Sequence, residues 1–296
     1  MQPIQFYHRD KDRIESEQIY GEKWLRWAYE TQVGRLGLEA FVKRAWFSHW
    51  YGRQMDSPKT RSKIADFIET YGLDPAEFAD PESFSSFNEF FRRKLNPEAR
   101  PIDALEKSVV FPADGRHLAI PDLSKATGFY AKGQEFDLES FLGDRSLSEK
   151  YRSGGAVFSR LCPVDYHRFH FGLSGVPEAP QLLNGPLYSV SPIALRRSLV
   201  YLLQNKRVMT RVQSEKFGQV LVIEIGATNV GSIRQSFNPD VAVSKGDEKG
   251  WFEFGGSMVA MFFEPERVEF SDDLVAHSAE NREVYAKMGD AMGEGF

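Results

Sequence analysis

A serine preceded by two glycines is the first feature of this chain that could support covalent chemistry. Ser257 follows Gly255 and Gly256 in the sequence FGGSM, between two runs of aromatic and apolar residues that are typical of buried strands. Glycine inside a strand costs stability and usually marks a bulge, a bend or a close approach to the backbone. Taken alone, the motif predicts a bulge whose serine caps the backbone.

Two histidines and an aspartate are the other candidate site residues. His167 and His170 lie in the sequence CPVDYHRFH. They would face opposite sides of a straight strand, so both reach one site only if the chain turns or bulges between them. Asp114 lies in an Asp-Gly turn between two predicted strands. Taken alone, each has an ordinary explanation as a turn, core or surface residue.

Two other kinds of site could use the same side chains. A serine hydrolase could combine Ser257, His170 and Asp114, although its nucleophile usually sits on a strand-to-helix elbow and a strand-like run follows this serine. Asp114, His167 and His170 could instead be ligands of a metal ion. The residue types alone leave both possibilities open.

The elements that must position these residues predict an α+β fold. Residues 1–100 form a predicted helical N-terminal region, and Pro97 and Pro101 mark its end. From residue 101 to 296, short apolar runs separated by turn residues predict a mostly antiparallel β domain, sandwich or barrel-like. Strands are predicted at 109–111, 117–120, 156–161, 166–171, 185–190, 208–212, 219–225, 231–233, 251–254, 258–263 and 267–270. Helical segments are predicted at 136–141, 193–205 and 280–288.

Two helices of the N-terminal region have clear end signals. Ser57-Pro58 predicts the start of one helix, and Gly72 its end. Ser86 and Glu89 have capping-box spacing, which predicts a second helix as far as about residue 95.

Basic residues are concentrated near the N-terminus, although the net charge of the chain is -5. Residues 20–63 contain nine basic and four acidic side chains, and Trp24, Trp27 and Trp46 recur among them at helical spacing. The pattern predicts two amphipathic helices with a break near Gly34. Such helices suit the headgroup region of an anionic membrane, and packing against the rest of the protein explains them equally well.

Length and composition restrict the class of protein. At 296 residues, with 42% hydrophobic and 27% charged side chains, the composition is that of a soluble protein. No run approaches the eighteen or more apolar residues that span a bilayer, and the N-terminus lacks the zones of a signal peptide. The single cysteine, Cys162, excludes an internal disulfide and is interpreted as a small buried hydrophobe.

Five segments of the sequence form one ordered set: FNEFF (87–91), PADG (112–115), DYHRFH (165–170), GATNVG (226–231), and KG (245–246) followed by FGGS (254–257). In this order they resemble the phosphatidylserine decarboxylases, a family that uses a pyruvoyl group made from its own backbone. The resemblance runs over nearly the whole chain. Met258 stands where the family more often has Thr or Ser, and Cys162 where it more often has Ser.

The resemblance implies that the chain cleaves itself between Gly256 and Ser257. Ser257 would attack the carbonyl of Gly256, with His170 as base and Asp114 orienting it. The products would be residues 1–256 and a chain of 40 residues, 257–296, capped by a pyruvoyl cofactor derived from Ser257. This covalent ketone would serve as the electron sink for decarboxylation, with His167 as proton donor and without an external cofactor or metal.

The resemblance also implies a substrate and a location. Phosphatidylserine would be converted to phosphatidylethanolamine by a peripheral protein on the cytoplasmic face of the cell membrane. Expected partners are the anionic membrane surface and the two cleaved chains, as a heterodimer or a dimer of these, without nucleic acid. A soluble amino acid as the substrate, or a non-catalytic membrane-binding relative, is the alternative.

Overall fold

A computed structural model of the chain describes residues 4–19, 21–38, 52–126, 136–227, 233–253, 255 and 257–296. The helices are α1 (Glu22–Glu30), α2 (Gln32–Gly37), α3 (Lys63–Tyr71), α4 (Phe87–Phe91), α5 (Leu138–Leu142), α6 (Arg145–Tyr151), α7 (Pro192–Leu195), α8 (Val200–Gln204) and α9 (Asp272–Ala279). The strands are β1 (Gln5–His8), β2 (Arg13–Ser16), β3 (Ser108–Val110), β4 (Gly115–Ile120), β5 (Ala156–Leu161), β6 (Arg168–His170), β7 (Val176–Pro177), β8 (Gln181–Leu183), β9 (Arg207–Ser214), β10 (Gly218–Gly226), β11 (Ile233–Gln235), β12 (Glu248–Phe252), β13 (Ser257–Phe262), β14 (Glu269–Phe270), β15 (Glu283–Ala286) and β16 (Ala291–Glu294).

One large sheet forms the middle of the β-rich part. Its order is β2-β1-β15-β4-β5-β13-β10-β9-β7, and β8 also pairs with β9. The pairings along it are antiparallel except that of β1 with β15. Two smaller sheets have the orders β11-β12-β6 and β14-β16-β3. The predicted α+β class with mostly antiparallel strands is confirmed.

The large sheet buries both of its faces because side chains alternate along each strand. On one face, Val222 of β10 and Val259 of β13 share a core with Phe169 and Phe252 of the β11-β12-β6 sheet. On the other face, the core includes side chains from helices α5 to α8. The first face carries the candidate site, as described below.

Several segments differ from the sequence predictions, and three of them bear on how the sheet is built. Residues 280–288 are not helical, because α9 ends at residue 279 and β15 pairs with β4, which turns Val284 and Ala286 into the core. Residues 185–190 are not a strand, and the Tyr188 N–H donates instead to the Asn205 side chain. Strands β1 and β2 were not predicted, since β1 depends on pairing with β15, which lies far away in the sequence.

The helical N-terminal region partly follows its end signals. A 3₁₀ turn over Pro58–Ser62 leads into α3, which ends at Gly72 with a positive φ of 63°. The Glu89 N–H donates to the Ser86 hydroxyl as predicted, but α4 ends at residue 91 instead of about residue 95. The predicted boundary near residue 100 stays a prediction. Most of the second amphipathic helix lies outside the described residues.

Cys162 is buried, as predicted, but its surroundings are polar. Its Sγ lies 2.8 Å from a carboxylate oxygen of Glu17 and 3.1 Å from the guanidinium of Arg160. Burial raises the pKa of the thiol well above its usual range, so the group stays protonated and donates to Glu17. In the part of the chain that the structure describes, no helix is both long enough and apolar enough to cross a bilayer.

A buried histidine makes the stability of the fold sensitive to acid. His117 is fully buried, with Nδ1 2.9 Å from the Ser159 hydroxyl and Nε2 3.2 Å from the Ala286 carbonyl. Burial is the main reason that its pKa is lowered from 6.5 to about 3. Between these two values the unfolded chain binds a proton that the folded chain does not bind. The free energy of unfolding must therefore fall as the pH falls below 6.5.

We expect this histidine to lower the free energy of unfolding by about 2 kcal/mol between pH 7 and pH 5. His117→Gln should remove that part of the loss, because glutamine does not titrate. Urea unfolding of both proteins at the two pH values measures the difference. An equal loss in the variant would contradict the assignment.

Candidate functional site

Ser257 begins a central strand of the large sheet. It pairs with Leu161 of β5 on one side and with Gly226 of β10 on the other. Its side chain is fully buried and faces the same core as Val259, two residues further along β13. Among the described residues its hydroxyl has no hydrogen-bond partner. Leaving a buried hydroxyl unpaired costs about 1–3 kcal/mol, so within the described residues this group makes no favourable contribution to stability.

The backbone before Ser257 adopts a conformation that favours glycine. Gly255 has a φ of 142°, which L side chains rarely adopt. The segment containing it leads from β12, in the β11-β12-β6 sheet, to β13 in the large sheet. Phe254 and Gly256 lie outside the described residues, as do residues 228–231 of the GATNVG segment. The glycine pair therefore lies in the segment that connects the two sheets, residues 253–256, which is called the crossing below. The motif alone had predicted a bulge within a single strand.

His167 lies next to this crossing. Its carbonyl accepts a hydrogen bond of 2.9 Å from the N–H of Phe252, the last residue of β12. The imidazole packs on the ring of Phe91 with 3.8 Å between ring centroids, and Nδ1 lies 3.0 Å from the Asp165 carbonyl. Because a carbonyl only accepts, Nδ1 carries the proton and Nε2 carries the lone pair. Nε2 has no hydrogen-bond partner among the described residues.

The surroundings of His167 keep it neutral. Burial is the main reason that its pKa is lowered from 6.5 to about 3. The backbone of Asp165 and that of Gly255 act on this pKa in the opposite direction, more weakly than burial. At neutral pH, His167 is therefore a neutral acceptor next to the glycine pair, and its protonated form would be a strong acid.

His170 is held by other contacts. Its Nδ1 lies 2.9 Å from the Gly246 carbonyl, so this nitrogen is the donor, and Nε2 lies 3.4 Å from the Tyr166 hydroxyl. Burial lowers the pKa of His170 as well. Both of its ring nitrogens thus have a partner, whereas Nε2 of His167 has none among the described residues.

Asp114 is buried at the turn between β3 and β4, and its carboxylate binds an arginine. Arg100 Nε lies 2.8 Å from Oδ1 and Arg100 Nη2 lies 2.6 Å from Oδ2, while the Met288 N–H donates to Oδ1 at 2.9 Å. The charge of Asp114 favours protonated His170, but no hydrogen bond joins the two side chains within the described part of the chain. The relay from Asp114 to His170 to Ser257 stays a prediction.

The structure bears on both alternative sites. Ser257 is followed by a strand, so the strand-to-helix elbow of many serine hydrolases is not formed here. Across the described residues, no group of three or more His, Cys, Asp or Glu side chains is arranged to hold a metal ion. Asp114, His167 and His170 therefore do not form a metal site in this arrangement.

The sequence analysis missed a buried ion pair on the same side of the sheet. Lys249 Nζ lies 2.8 Å from a carboxylate oxygen of Glu224, and both side chains are fully buried. A signal was available, because Glu224 interrupts the apolar run VLVIEI at a position where alternation predicts a core-facing side chain.

Comparison with known proteins gives the family. The family model for phosphatidylserine decarboxylase matches residues 87–294. The phosphatidylserine decarboxylase proenzyme of Chlamydia muridarum is 43% identical over 297 residues, which cover 100% of this chain and 98% of the relative. Proteins of the same name from Chlamydia trachomatis serovar D and Fusobacterium nucleatum subsp. nucleatum are 41% and 39% identical, each covering 98% of this chain and 97% of the relative. These matches confirm the resemblance, and the chain belongs to the phosphatidylserine decarboxylase family.

Proposed function

We propose that this chain is a proenzyme that cleaves itself between Gly256 and Ser257 and then decarboxylates phosphatidylserine to phosphatidylethanolamine. The observation that carries the proposal is the fully buried Ser257 hydroxyl, which has no hydrogen-bond partner among the described residues and directly follows the segment that connects two sheets. Family membership and the word proenzyme in the names of the relatives support it.

The first step converts an amide into an ester. Ser257 Oγ loses its proton and attacks the carbonyl carbon of Gly256, and the bond from that carbon to the Ser257 nitrogen breaks. The nitrogen takes up the proton and becomes an amine, so no atom is gained or lost. A neutral serine hydroxyl is a weak nucleophile, so this step needs a positioned proton acceptor.

The described geometry favours His167 as that acceptor, although the sequence analysis assigned the role to His170 with Asp114. His167 Nε2 has no hydrogen-bond partner among the described residues, and the His167 carbonyl accepts from Phe252 at the end of β12, the strand that leads to the glycine pair. Both ring nitrogens of His170 are engaged by other groups. We therefore assign His170 and Asp114 to holding the surrounding segments in place.

The second and third steps release the small chain. A base removes the Cα proton of residue 257, the Cβ–Oγ bond breaks, and Gly256 leaves as the carboxylate at the end of residues 1–256. The dehydroalanine left at position 257 takes up water and loses ammonia, which gives the pyruvoyl group. Strand β13 holds the new N-terminus in place through its pairing with β5 and β10.

The residues around position 257 fit such a group. When present, the pyruvoyl ketone supplies an electron sink for the loss of carbon dioxide from an amino acid carboxylate. We assign the delivery of a proton to the substrate carbon to His167, whose lowered pKa makes the imidazolium a ready donor. Burial of position 257 limits the access of bulk water to the reacting carbon.

A denaturing gel combined with intact-mass measurement of the expressed protein tests the proposed function. We expect two fragments, residues 1–256 and 257–296, with the mass of a pyruvoyl group in place of the N-terminal serine of the smaller one. The native protein should keep both, because strands β13 to β16 stay paired within the sheets. An active preparation containing only the intact chain with an ordinary serine would contradict the proposal.

The proposed lipid substrate requires contact with a membrane, and α1 and α2 offer a surface for it. Four large apolar side chains are exposed there, Trp24 (41%), Trp27 (48%), Val33 (69%) and Leu36 (71%). Ala28 and Tyr29 of α1 are instead buried in a core that includes part of α7. The basic segment was interpreted as binding a membrane or as packing against the rest of the protein. The two interpretations therefore apply to different faces of α1. We propose peripheral binding to an anionic membrane, at the cytoplasmic face of the cell membrane.

Replacing Trp24 and Trp27 with Ser should weaken binding to phosphatidylserine-containing vesicles at least tenfold, because both exposed indoles are lost. Self-cleavage should persist, since neither indole contributes to the core. Vesicle co-sedimentation and a gel measure the two properties. Leu182→Ser, which removes an exposed apolar side chain from β8, is the matched control. Unchanged binding would contradict the membrane role.

A further inference from the structure

We propose that Glu224, Gln235 and Lys249 form a polar clamp that positions the self-cleavage segment 253–257. The inference rests on the proposed function, because it gives these residues a role in the maturation of the same serine. They are positioning residues and not catalytic ones, since no contact joins them to the Ser257 hydroxyl among the described residues.

The polar clamp is a closed set of contacts between two sheets. Lys249 Nζ lies 2.8 Å from Glu224 Oε1 and 2.9 Å from Gln235 Oε1, and Gln235 Nε2 donates to Glu224 Oε2 at 2.6 Å. Lys249 and Gln235 belong to β12 and β11 of the smaller sheet, and Glu224 belongs to β10 of the large sheet. The clamp therefore ties the two sheets together through charged side chains.

The clamp is buried among aromatic rings, and in such surroundings an ion pair is a poor way to stabilise the fold. Glu224 and Lys249 are both fully buried, and the ammonium lies 5.0, 5.7 and 5.9 Å from the ring centroids of Phe237, Phe169 and Phe171. Removing two charges from water is expensive, and apolar residues of similar volume often serve stability as well or better. What the clamp adds is a defined geometry, because the two hydrogen bonds of Gln235, to Glu224 Oε2 and from Lys249 Nζ, have preferred directions and lengths.

The clamp lies near Ser257 on one sheet and near the end of β12 on the other. Its location indicates that it sets the relative position of these two parts of the chain. Gly226 pairs with Ser257, and Glu224 pairs with Val259, so Glu224 and Ser257 are diagonal neighbours on one face of the sheet. Diagonal neighbours have Cβ atoms about 7 Å apart. On the other sheet, Lys249 precedes the end of β12 by three residues. The clamp thus flanks the segment through which the chain crosses from one sheet to the other.

Attack within one chain depends strongly on the placement of the reacting atoms. A displacement of about 1 Å can lower the rate of such a step about 100-fold. The separation of β12 from β10 sets the distance that the chain must cover between β12 and Ser257, and the contacts among Glu224, Gln235 and Lys249 restrain that separation. Cleavage breaks the bond between Gly256 and Ser257, which links β12 to β13. The contacts of the clamp then continue to hold β12 against the large sheet.

The double variant Glu224→Gln/Lys249→Met tests the clamp without leaving an unpaired charge. Both replacements are close in volume to the original residues, so we expect the protein to fold with a melting temperature within a few degrees of the parent. Maturation, followed on gels after synthesis in a cell-free system, should be at least tenfold slower. Maturation of the folded double variant at the parent rate would overturn the inference.

A trapping experiment separates positioning from a general loss of structure. Hydroxylamine cleaves the ester formed in the first step but not the amide that precedes it. If the clamp positions the serine for its attack, hydroxylamine should not restore the rate of cleavage in the double variant. Restoration to the parent rate would show that only the later elimination is affected, and would overturn the positioning of the attack.

Two controls complete the test. Arg9→Met/Asp273→Asn removes an ion pair between the N-terminal segment and α9, and should leave the maturation rate unchanged. If the double clamp variant does not fold, Gln235→Met serves instead, since it keeps the ion pair and removes two hydrogen bonds. We expect it to slow maturation two- to fivefold, and the parent rate would overturn the inference. A parent protein that never cleaves refutes the proposed function itself, which distinguishes that failure from failure of the clamp.

Discussion

Ser257→Ala should remain a single chain without decarboxylase activity. Alanine has no oxygen to attack the preceding carbonyl and cannot become a ketone, so both maturation and the cofactor are lost. The fold should be kept or slightly stabilised, because the replaced hydroxyl is buried and has no partner among the described residues. A denaturing gel, an intact mass and a phosphatidylserine assay measure these properties, together with the melting temperature.

Ser159→Ala is the matched control. Ser159 is also fully buried, on the adjacent strand β5, but its hydroxyl contacts His117 Nδ1 at 2.9 Å. Its loss should lower the free energy of unfolding by about 1–3 kcal/mol and leave self-cleavage intact. Two fragments from the Ser257→Ala protein would show that cleavage does not use this hydroxyl.

His167→Asn should slow self-cleavage by a factor of about 100 to 10,000, the usual contribution of a positioned proton acceptor. The asparagine amide can still donate to the Asp165 carbonyl, which preserves the Nδ1 contact of 3.0 Å. Asparagine has no acceptor that corresponds to the Nε2 lone pair of His167, which has no partner among the described residues. Time courses of cleavage on gels measure the effect, and any matured fraction should also be impaired in decarboxylation.

His170→Asn is the paired variant. Its amide can replace Nδ1 in the contact with the Gly246 carbonyl, so we expect a maturation rate within about tenfold of the parent. The opposite ranking, with His170→Asn inactive and His167→Asn maturing, would contradict the assignment of His167. It would instead support the relay through Asp114 that the sequence analysis assigned.

The sequence predicted correctly most of the elements that depend on local patterns of residues. Alternating and continuous apolar runs predicted most strands near the site, including 156–161, 219–225 and 258–263, because their side chains alternate between two buried faces. Gly72 and Ser86 gave correct helix signals because capping depends on neighbouring residues only. The short segments around Asp114, His170 and Ser257 led to the family, which the comparisons confirm.

The tertiary structure decided the features that depend on contacts between distant residues. Strand β1 exists through its pairing with β15, and Glu224 meets Lys249 only because two sheets face each other across one core. The different states of His167 and His170 likewise follow from burial and from carbonyls supplied by other segments. By itself, the sequence determined the family and most of the strands and identified Ser257 as the candidate serine, because these depend on residue order. Only the folded chain decided that, among the described residues, His167 Nε2 has no hydrogen-bond partner and that Glu224 meets Lys249. The reason is that hydrogen bonds and burial depend on positions in space.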